Sequence, residues 1–544
     1  MIDHRTNAEL DAQIIALDRK RAVRDAALLP PLIINNSDPT ASARELARLI
    51  AARHDFLFNG NAPIFVAAEA ESMPRALMVK AESVRILAHR ICVPTKIQYG
   101  KNGAAEQTPV ALSEDIARLY LYGLEGSWGL KPFRGITTAP ILSNDGSIRI
   151  ANGYDPASGN WCHDIPIVDV PERPGEQAAR AALGRLRQVF KTFPFADAER
   201  EIDAELGVEV VDLAKPAGLD ESSFLVALMT GVCRQSLELA PAFLCDAPSF
   251  SGAGTGKGML VKAICVIASG VRPAAFTSGH DAGELDKRLS AALIEAHPSV
   301  FLDNFNAKEL QSDILASVLT ENPAQVRVMG RTKNVPLNCR TFIGITGNGV
   351  EIAEDMARRV VKCRLDAKME NPEERKFQPG FLDDILAARQ RLLADALTIW
   401  RWGRQNQIKA RRPLGSFEVW CQWCRDPLVA LGMRDPIDRL AEIKANDPKR
   451  KALVAIFDTW FAAHEDNTLK ATDLDPTVLE VIDSKSSRKA DGSIQFSRQR
   501  VASFLTRTTG TRVGGYSLTK AMLGPPSKEI AHYKLTRTGK AEEI

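Results

Sequence analysis

The 544-residue sequence has no uninterrupted apolar run of 18 residues, so no segment reads as a membrane-spanning helix. Its start, Met1-Ile-Asp-His-Arg-Thr, lacks the apolar core of a secretory signal. The nine cysteines are scattered without a dense framework, as in a reducing compartment. A cytoplasmic protein without a membrane partner is the expectation. An excess of one charge is also missing: 70 Lys and Arg face 67 Asp and Glu, a formal net of +3, which excludes a histone-like polycation. No internal repeat or low-complexity block is evident.

What the sequence does contain is core material and a hidden polarity. A hydrophobic content of 45% excludes wholesale disorder, and the length suggests three or four domains. Residues 481–544 hold 12 Lys or Arg and 5 Asp or Glu, so this tail carries +7 and the rest of the chain −4. Early helices are expected around Leu10–Leu17 and Ala43–Leu49, and a helix-and-strand region at Ala62–Ala68 and Ser83–Cys92. Gly, Pro, Asp and Asn turns dominate from Pro132 to Pro171. Apolar spacing predicts helices over Glu176–Phe193 and Glu221–Leu239. Short strands then alternate with helices over 241–370, the pattern of a layered α/β core. Residues 380–470 read as helical and carry Trp400, Trp402, Trp420, Trp423 and Trp460.

The sharpest motif is Ser249-Phe-Ser-Gly-Ala-Gly-Thr-Gly-Lys-Gly258, after an apolar strand and before a helix expected to begin near Met259. Backbone N–H groups of Gly252, Ala253, Gly254, Thr255, Gly256, Lys257 and Gly258 can wrap a polyphosphate, with Lys257 reaching its terminal groups. Two positions depart from GxxxxGK[ST]. Ser251 replaces the first glycine, and Gly258 replaces the hydroxyl that ordinarily holds Mg²⁺. The alternative reading is a glycine-rich turn that binds nothing.

Asp303 ends the apolar run Ser299-Val-Phe-Leu, where a carboxylate suits a Mg²⁺ ligand; the alternative is an ordinary turn carboxylate. A third strand, Thr341–Gly347, ends at Asn348, placed to orient water or sense a γ-phosphate. Arg358 and Arg359 follow, either as cations for developing phosphate charge or as a solvated helix end. Between Asp303 and Asn348, Gln325–Pro336 reads as a β-hairpin with Arg327, Arg331 and Lys333 suited to a nucleic-acid backbone, or as a merely exposed charged hairpin.

Lys257, Asp303-Asn304, the basic hairpin, Asn348 and Arg358-Arg359 occur in the order seen in AAA+ ATPases. The arrangement resembles superfamily 3 helicases of viruses, phages and plasmids, and more closely the bacterial and prophage proteins described as DNA primase/helicases. Further similar stretches are Glu284-Leu-Asp-Lys-Arg-Leu289, Asp355-Met-Ala-Arg-Arg359, Cys363-Arg-Leu-Asp366 and Asn371-Pro-Glu-Glu-Arg375. Leu130-Lys-Pro-Phe-Arg-Gly135 and Gly153-Tyr-Asp-Pro156 extend the likeness upstream, so it covers roughly residues 115–430.

The resemblance implies an α/β fold with an AAA+-type P-loop ATPase core at 206–375. Outside that core, the residue pattern itself suggests a mixed α/β accessory region at 1–205, a helical Trp-rich lid or collar at 376–470, and a basic winged-helix-like domain at 471–544. The resemblance implies ATP and Mg²⁺ as cofactors, Lys257 as the Walker A lysine and Asp303 as the Walker B aspartate. Asn348 would be the sensor, and Arg358 or Arg359 a finger. Single-stranded DNA, a homo-hexamer or similar ring, and replication proteins are the implied partners. The function implied is an ATP-dependent helicase or translocase in replication of a phage or other mobile element.

Two departures matter. Gly258 leaves Thr255 or water to compensate for the missing hydroxyl. Asn304 stands where many ATPases place a catalytic Glu, which leaves Asp303, Glu284 or another acid to activate water. A non-motor ATP-binding scaffold or loader is therefore the competing function. Primer synthesis is not expected, because residues 1–200 hold no DxD pair or zinc-ribbon spacing, and His163-Asp164 reads as a loop pair. In the tail, expected helices at Asp473–Ser484 and Ser497–Thr508 precede strands at Tyr516 and His532. Arg498, Arg500 and Arg507 on the second helix, with Lys534 and Arg537 on the strands, are the DNA-contact candidates; the alternative is a basic domain that meets protein. Cys421-Gln-Trp-Cys424 reads as core rather than as a metal or redox pair.

Overall fold

The computed structural model describes the chain except residues 1–28, 53–55, 60–61, 68–72, 100–103, 123–128, 251, 278–281, 306–308, 328–333, 376–378, 484, 489–493, 526–528 and 539–544. The chain divides into two compact units. One comprises Met1–Ala307, Gln311–Val350 and Arg358–Ile437; the other comprises Lys308–Leu310, Glu351–Ala357 and Asp438–Ile544.

The first unit is organised by a five-stranded sheet. Its strands are β1 (Ala242–Asp246), β2 (Ala275–Thr277), β3 (Ser299–Phe305), β4 (Phe342–Gly347) and β5 (Val360–Arg364), in the order β2-β3-β4-β1-β5. All four pairings are parallel: Leu244 faces Ile345 on one side and Lys362 on the other, and Leu302 also faces Ile345. Parallel strands need crossover connections, which cover both faces and favour continuous apolar runs. The fully buried Ala242-Phe-Leu-Cys-Asp246 and Phe342-Ile-Gly-Ile-Thr-Gly347 meet that requirement. Helices α1 (Lys257–Ser269) and α2 (Ala282–Ile294) make the first two crossovers.

Around this sheet, helix Glu176–Phe190 buries one stripe: Ala179, Ala182, Leu183, Leu186 and Phe190. Helix Leu219–Cys233 is buried from Asp220 onward on every side, so its polar residues need internal partners. Glu221 finds one in a two-point contact with Arg187, at 2.7 and 3.1 Å. The expected helix to Leu239 stops at Cys233 and tightens into a short turn at Arg234–Ser236. There the buried Arg234 donates to the carbonyls of Leu237, Cys339 and Thr341, groups that a straight helix would not bring together.

Of the Trp-rich region, Trp400, Trp402, Trp420 and Trp423 share the core of the sheet, whereas Trp460 lies in the core of the second unit. Trp400 and Trp420 are fully buried, and Trp420 Nε1–H donates to Thr230 Oγ1 at 2.8 Å. Cys421 and Cys424 are buried with them, in a five-residue stretch of wider helix. Burial pushes the Cys421 thiol up to about 11 and holds Cys424 well above its ordinary value, the opposite of what thiolate chemistry requires. The irregular segment 132–171 is held by arginines that saturate its carbonyls. Arg389 donates to Thr138, and Arg401 to Gly146, Val170 and Pro171.

In the second unit, helix α3 (Pro448–His464) packs with α4 (Pro476–Ile482), α5 (Arg498–Thr508) and the hairpin of β6 (Tyr516–Leu523) and β7 (Ile530–Arg537). Strands Thr468–Lys470 and Arg512–Val513 flank that hairpin. The helix expected from Asp473 begins at Pro476, because Asp475 caps it through the Thr477 N–H and proline suits the first helical position. Among the described residues, no helix is long and apolar enough to cross a membrane.

Glu221→Leu strands the buried Arg187 guanidinium and is expected to destabilise the first unit by about 3–5 kcal/mol. Urea unfolding followed by tryptophan fluorescence measures it; a change below about 1 kcal/mol would show that the pair is not buried in solution.

Candidate functional site

In a parallel sheet every strand ends on the same edge, and ligands sit outside those carboxyl ends. The loop 247–256 leaves the end of β1, Asp303 lies near the end of β3, and Asn348 follows β4. Three segments far apart in sequence therefore meet along one edge.

The loop is shaped by close approach. A side-chain carbon at Gly252 would come within 2.3 Å of Asn348 Oδ1 and 2.4 Å of the Pro248 carbonyl, so only glycine lets Asn348 lie over the loop. Gly256 has φ +95°, which turns the backbone directly into α1. The helix starts at Lys257, two residues before its expected start, because this left-handed turn leaves no room for a looser entry. The Lys257 ammonium donates to the Gly252 carbonyl and to Thr255 Oγ1. Burial lowers its pKa, an effect opposed by nearby groups that include Asp246 and Asp303.

On the facing strands, Thr346 Oγ1 donates to Asp303 Oδ1 at 2.8 Å and accepts from the Asn304 N–H at 2.9 Å. Asn304 has φ +53°, a conformation that asparagine tolerates better than most residues. Its side chain is exposed.

Beneath the loop, Asp246 is buried. Its carboxylate meets Lys362 Nζ at 2.9 Å and accepts from the Val350 N–H at 3.1 Å, while Lys362 also donates to the Val350 carbonyl. This clamp joins the ends of β1 and β4 to β5. Thr346, Asp246 and Lys362 are the site residues that the sequence reading missed. The available signal was polar residues inside otherwise apolar strands.

Beside Gly254–Gly256 opens a cavity of about 530 Å³, lined by Phe193, Met259, Leu206, Val208, Arg375 and Phe381 among others. Phe193 and Phe381 meet edge-on with centroids 5.5 Å apart. Burial lowers the pKa of Arg375, which donates to the Thr192 carbonyl at 2.8 Å.

The donor set for Mg²⁺ is thin. A side-chain carbon at Gly258 would lie 3.8 Å from Asp303 Oδ1, so this position faces the carboxylate but supplies no oxygen. The buried Thr255 hydroxyl donates to the Gly252 carbonyl at 2.9 Å and accepts from Lys257. No cluster of three or more His, Cys, Asp or Glu suited to a metal occurs among the described residues. These residues do not complete a protein-built Mg²⁺ site.

Arg358 and Arg359 are elsewhere. Arg359 immediately precedes β5, and its carbonyl accepts from the N–H of Ala242, the first residue of β1. The pair thus borders the opening edge of the sheet, a five-residue strand or roughly 16 Å from the loop edge.

Antiparallel strands Ala324–Arg327 and Asn334–Leu337 form the expected hairpin, with Arg327 exposed. Arg331 and Lys333 lie outside the described residues, and so does the side chain of Glu284.

In the second unit, Arg498 and Arg507 are exposed on α5. Arg500 instead meets the buried Asp483 at 2.7 Å; that contact, with the Ser497 N–H, holds the carboxyl down at about 2. Lys534 lies 3.4 Å from Asp466, and Arg537 stacks over Phe461 at 4.6 Å.

No protein-family profile and no curated protein matches the chain. Among solved structures, two apo forms of the NrS-1 C-terminal region align with 11% and 13% identity and TM-scores of 0.29 and 0.30. They cover 64% and 63% of this chain, and 84% and 83% of theirs. The active helicase Cch of SCCmec type IV aligns with 8% identity and a TM-score of 0.32, over 89% of this chain and 97% of that one. Scores at this level do not define a shared fold.

Lys362→Met leaves Asp246 buried and unpaired and is expected to destabilise the first unit by about 3–5 kcal/mol. Adding Asp246→Asn removes the stranded charge and should restore part of that loss. Urea unfolding of both variants checks this; equal losses would show that the two groups do not interact.

Proposed function

We propose that the first unit is an AAA+-type P-loop ATPase core whose nucleotide lies along the loop edge of the sheet. The observation that carries this reading is the convergence of Gly252–Gly258, Lys257, Asp303 and Asn348 on one edge, from three strand ends. Backbone N–H groups and the start of α1 take the phosphates, with the Lys257 ammonium as their charge partner. The adjoining 530 Å³ cavity has the size and apolar walls for the nucleoside, with Phe193, Met259 and Phe381 against the base.

In hydrolysis, water oxygen bonds to the γ-phosphorus as the bond to the β,γ-bridging oxygen breaks. Asp303 receives the water proton, and ADP leaves with the electron pair of the broken bond. Thr346 fixes the carboxylate, and Asn348 positions the water.

Arg358 and Arg359, on the opening edge, are out of reach of this chain's own loop. As fingers they would serve a neighbouring copy, which requires a homo-hexamer or similar ring. Work on single-stranded DNA through the Arg327 hairpin, and a grip through a winged-helix-like second unit, complete a helicase or translocase. In that unit Arg498 and Arg507 are the stronger DNA contacts. Arg500, Lys534 and Arg537 also have partners within the chain.

A specific observation favours the alternative of a non-motor ATP-binding scaffold or loader. Asn304 and Gly258 lack the acid and the hydroxyl that speed turnover in typical P-loop enzymes.

ATP turnover is expected to rise with single-stranded DNA and to vanish in Lys257→Ala. Mixing Lys257→Ala with Arg358→Ala/Arg359→Ala protein should recover activity, since mixed rings pair an intact loop with an intact finger. Nucleotide binding without DNA-stimulated turnover would favour the scaffold; no recovery on mixing would sink the finger supplied by a neighbour.

A further inference from the structure

The metal side of the loop shows a defined vacancy of chemistry. Gly258 is the second residue of α1, and a side-chain carbon there would lie 3.6 Å from Phe301 and 3.8 Å from Asp303 Oδ1, both ordinary contact distances. Space therefore does not forbid a serine or threonine, and its hydroxyl would sit beside the carboxylate. The Thr255 hydroxyl, nearer to Lys257 in the loop, is buried and engaged by the Gly252 carbonyl and Lys257. Turning it toward a cation would break the contact that closes the loop. Asp303 already gives one oxygen to Thr346.

Mg²⁺ demands six oxygens in near-octahedral geometry and keeps its waters readily. Among the described residues, Asp303 brings a carboxylate to this position and Gly258 brings no oxygen. The phosphate grip has other sources: backbone N–H groups, the start of α1 and Lys257. These act on the nucleotide whether or not a cation accompanies it.

We infer that this chain binds nucleoside triphosphate largely without the help of Mg²⁺, and that Gly258 is the residue that sets this independence. The inference rests on the nucleotide reading of the loop. Mg²⁺ enters as part of the substrate, held chiefly by phosphate oxygens and water. Coupling between nucleotide affinity and cation concentration is therefore weak. Installing a hydroxyl at position 258 creates that coupling, and installing a methyl group does not.

The test measures binding of a fluorescent ATP analogue to the full-length chain in excess Mg²⁺ and in excess EDTA. Wild-type affinity is expected to agree within about threefold between the two conditions. Gly258→Ser should bind about tenfold more tightly in Mg²⁺ than in EDTA, the scale on which one group near a metal alters its affinity. Gly258→Ala should keep the wild-type ratio of affinities between the two conditions, which separates the hydroxyl from the added methyl group and helix propensity. A wild-type affinity more than tenfold weaker in EDTA overturns the inference while leaving the nucleotide site intact. A Gly258→Ser protein that gains no more than Gly258→Ala also overturns it. Failure of wild type to bind the analogue in either condition, or binding unchanged by Lys257→Ala, removes the nucleotide reading itself.

Discussion

The buried carboxylate of Asp246 is the constraint on which the loop edge depends. An ionised side chain sealed beneath a sheet must be neutralised and hydrogen-bonded where it lies. Lys362 and the Val350 N–H do both. Those partners come from the middle of β5 and from the segment just after Asn348, so satisfying one charge ties the ends of β1 and β4 to β5. Gly349 adds a hydrogen bond to the Ala247 carbonyl, closing the same corner. The glycine-rich loop can therefore approach Asn348 closely without being floppy at its root.

The second organising fact is direction. Because β1, β3, β4 and β5 run parallel, everything that follows a strand gathers on one edge and everything that precedes one gathers on the other. Lys257, Asp303 and Asn348 fall on the first edge, and Arg358-Arg359 on the second. Sequence order hides this, since Asn348 and Arg358 are only ten residues apart. Under the proposed ATPase reading, the two halves of a composite nucleotide site would lie on opposite borders, which would suit head-to-tail association.

Much of this was legible beforehand. The apolar runs ending at Asp246, Asp303 and Gly347 marked buried strands, because two-sided burial leaves no polar alternation. The helix expected over Glu176–Phe193 was plain from its stripe of alanine and leucine, though it ends at Phe190, and the buried Cys421-Cys424 pair was plain from its apolar setting. Other features left no local trace. Asp246 and Thr346 each look like an incidental polar residue in a strand, since their partners lie about 42 to 116 positions away. The ends of Leu219–Cys233 and of α4 were missed for a similar reason. Carbonyls gathered by Arg234, and a cap from Asp475, decided them over apolar spacing.

The sequence by itself determined the inventory: strands apolar enough to be buried on both faces, a glycine-rich loop ending in lysine, and a basic tail on a nearly neutral chain. It also determined the two missing groups, the hydroxyl at 258 and the acid at 304, since absence of an atom needs no fold to establish it. Tertiary structure decided the pairing: Thr346 with Asp303, Lys362 with Asp246, Arg500 with Asp483. It likewise decided which edge each motif occupies. Chemistry resides in the residue and can be read one letter at a time, whereas a hydrogen bond or ion pair requires a distance of about 3 Å, which only the folded chain creates.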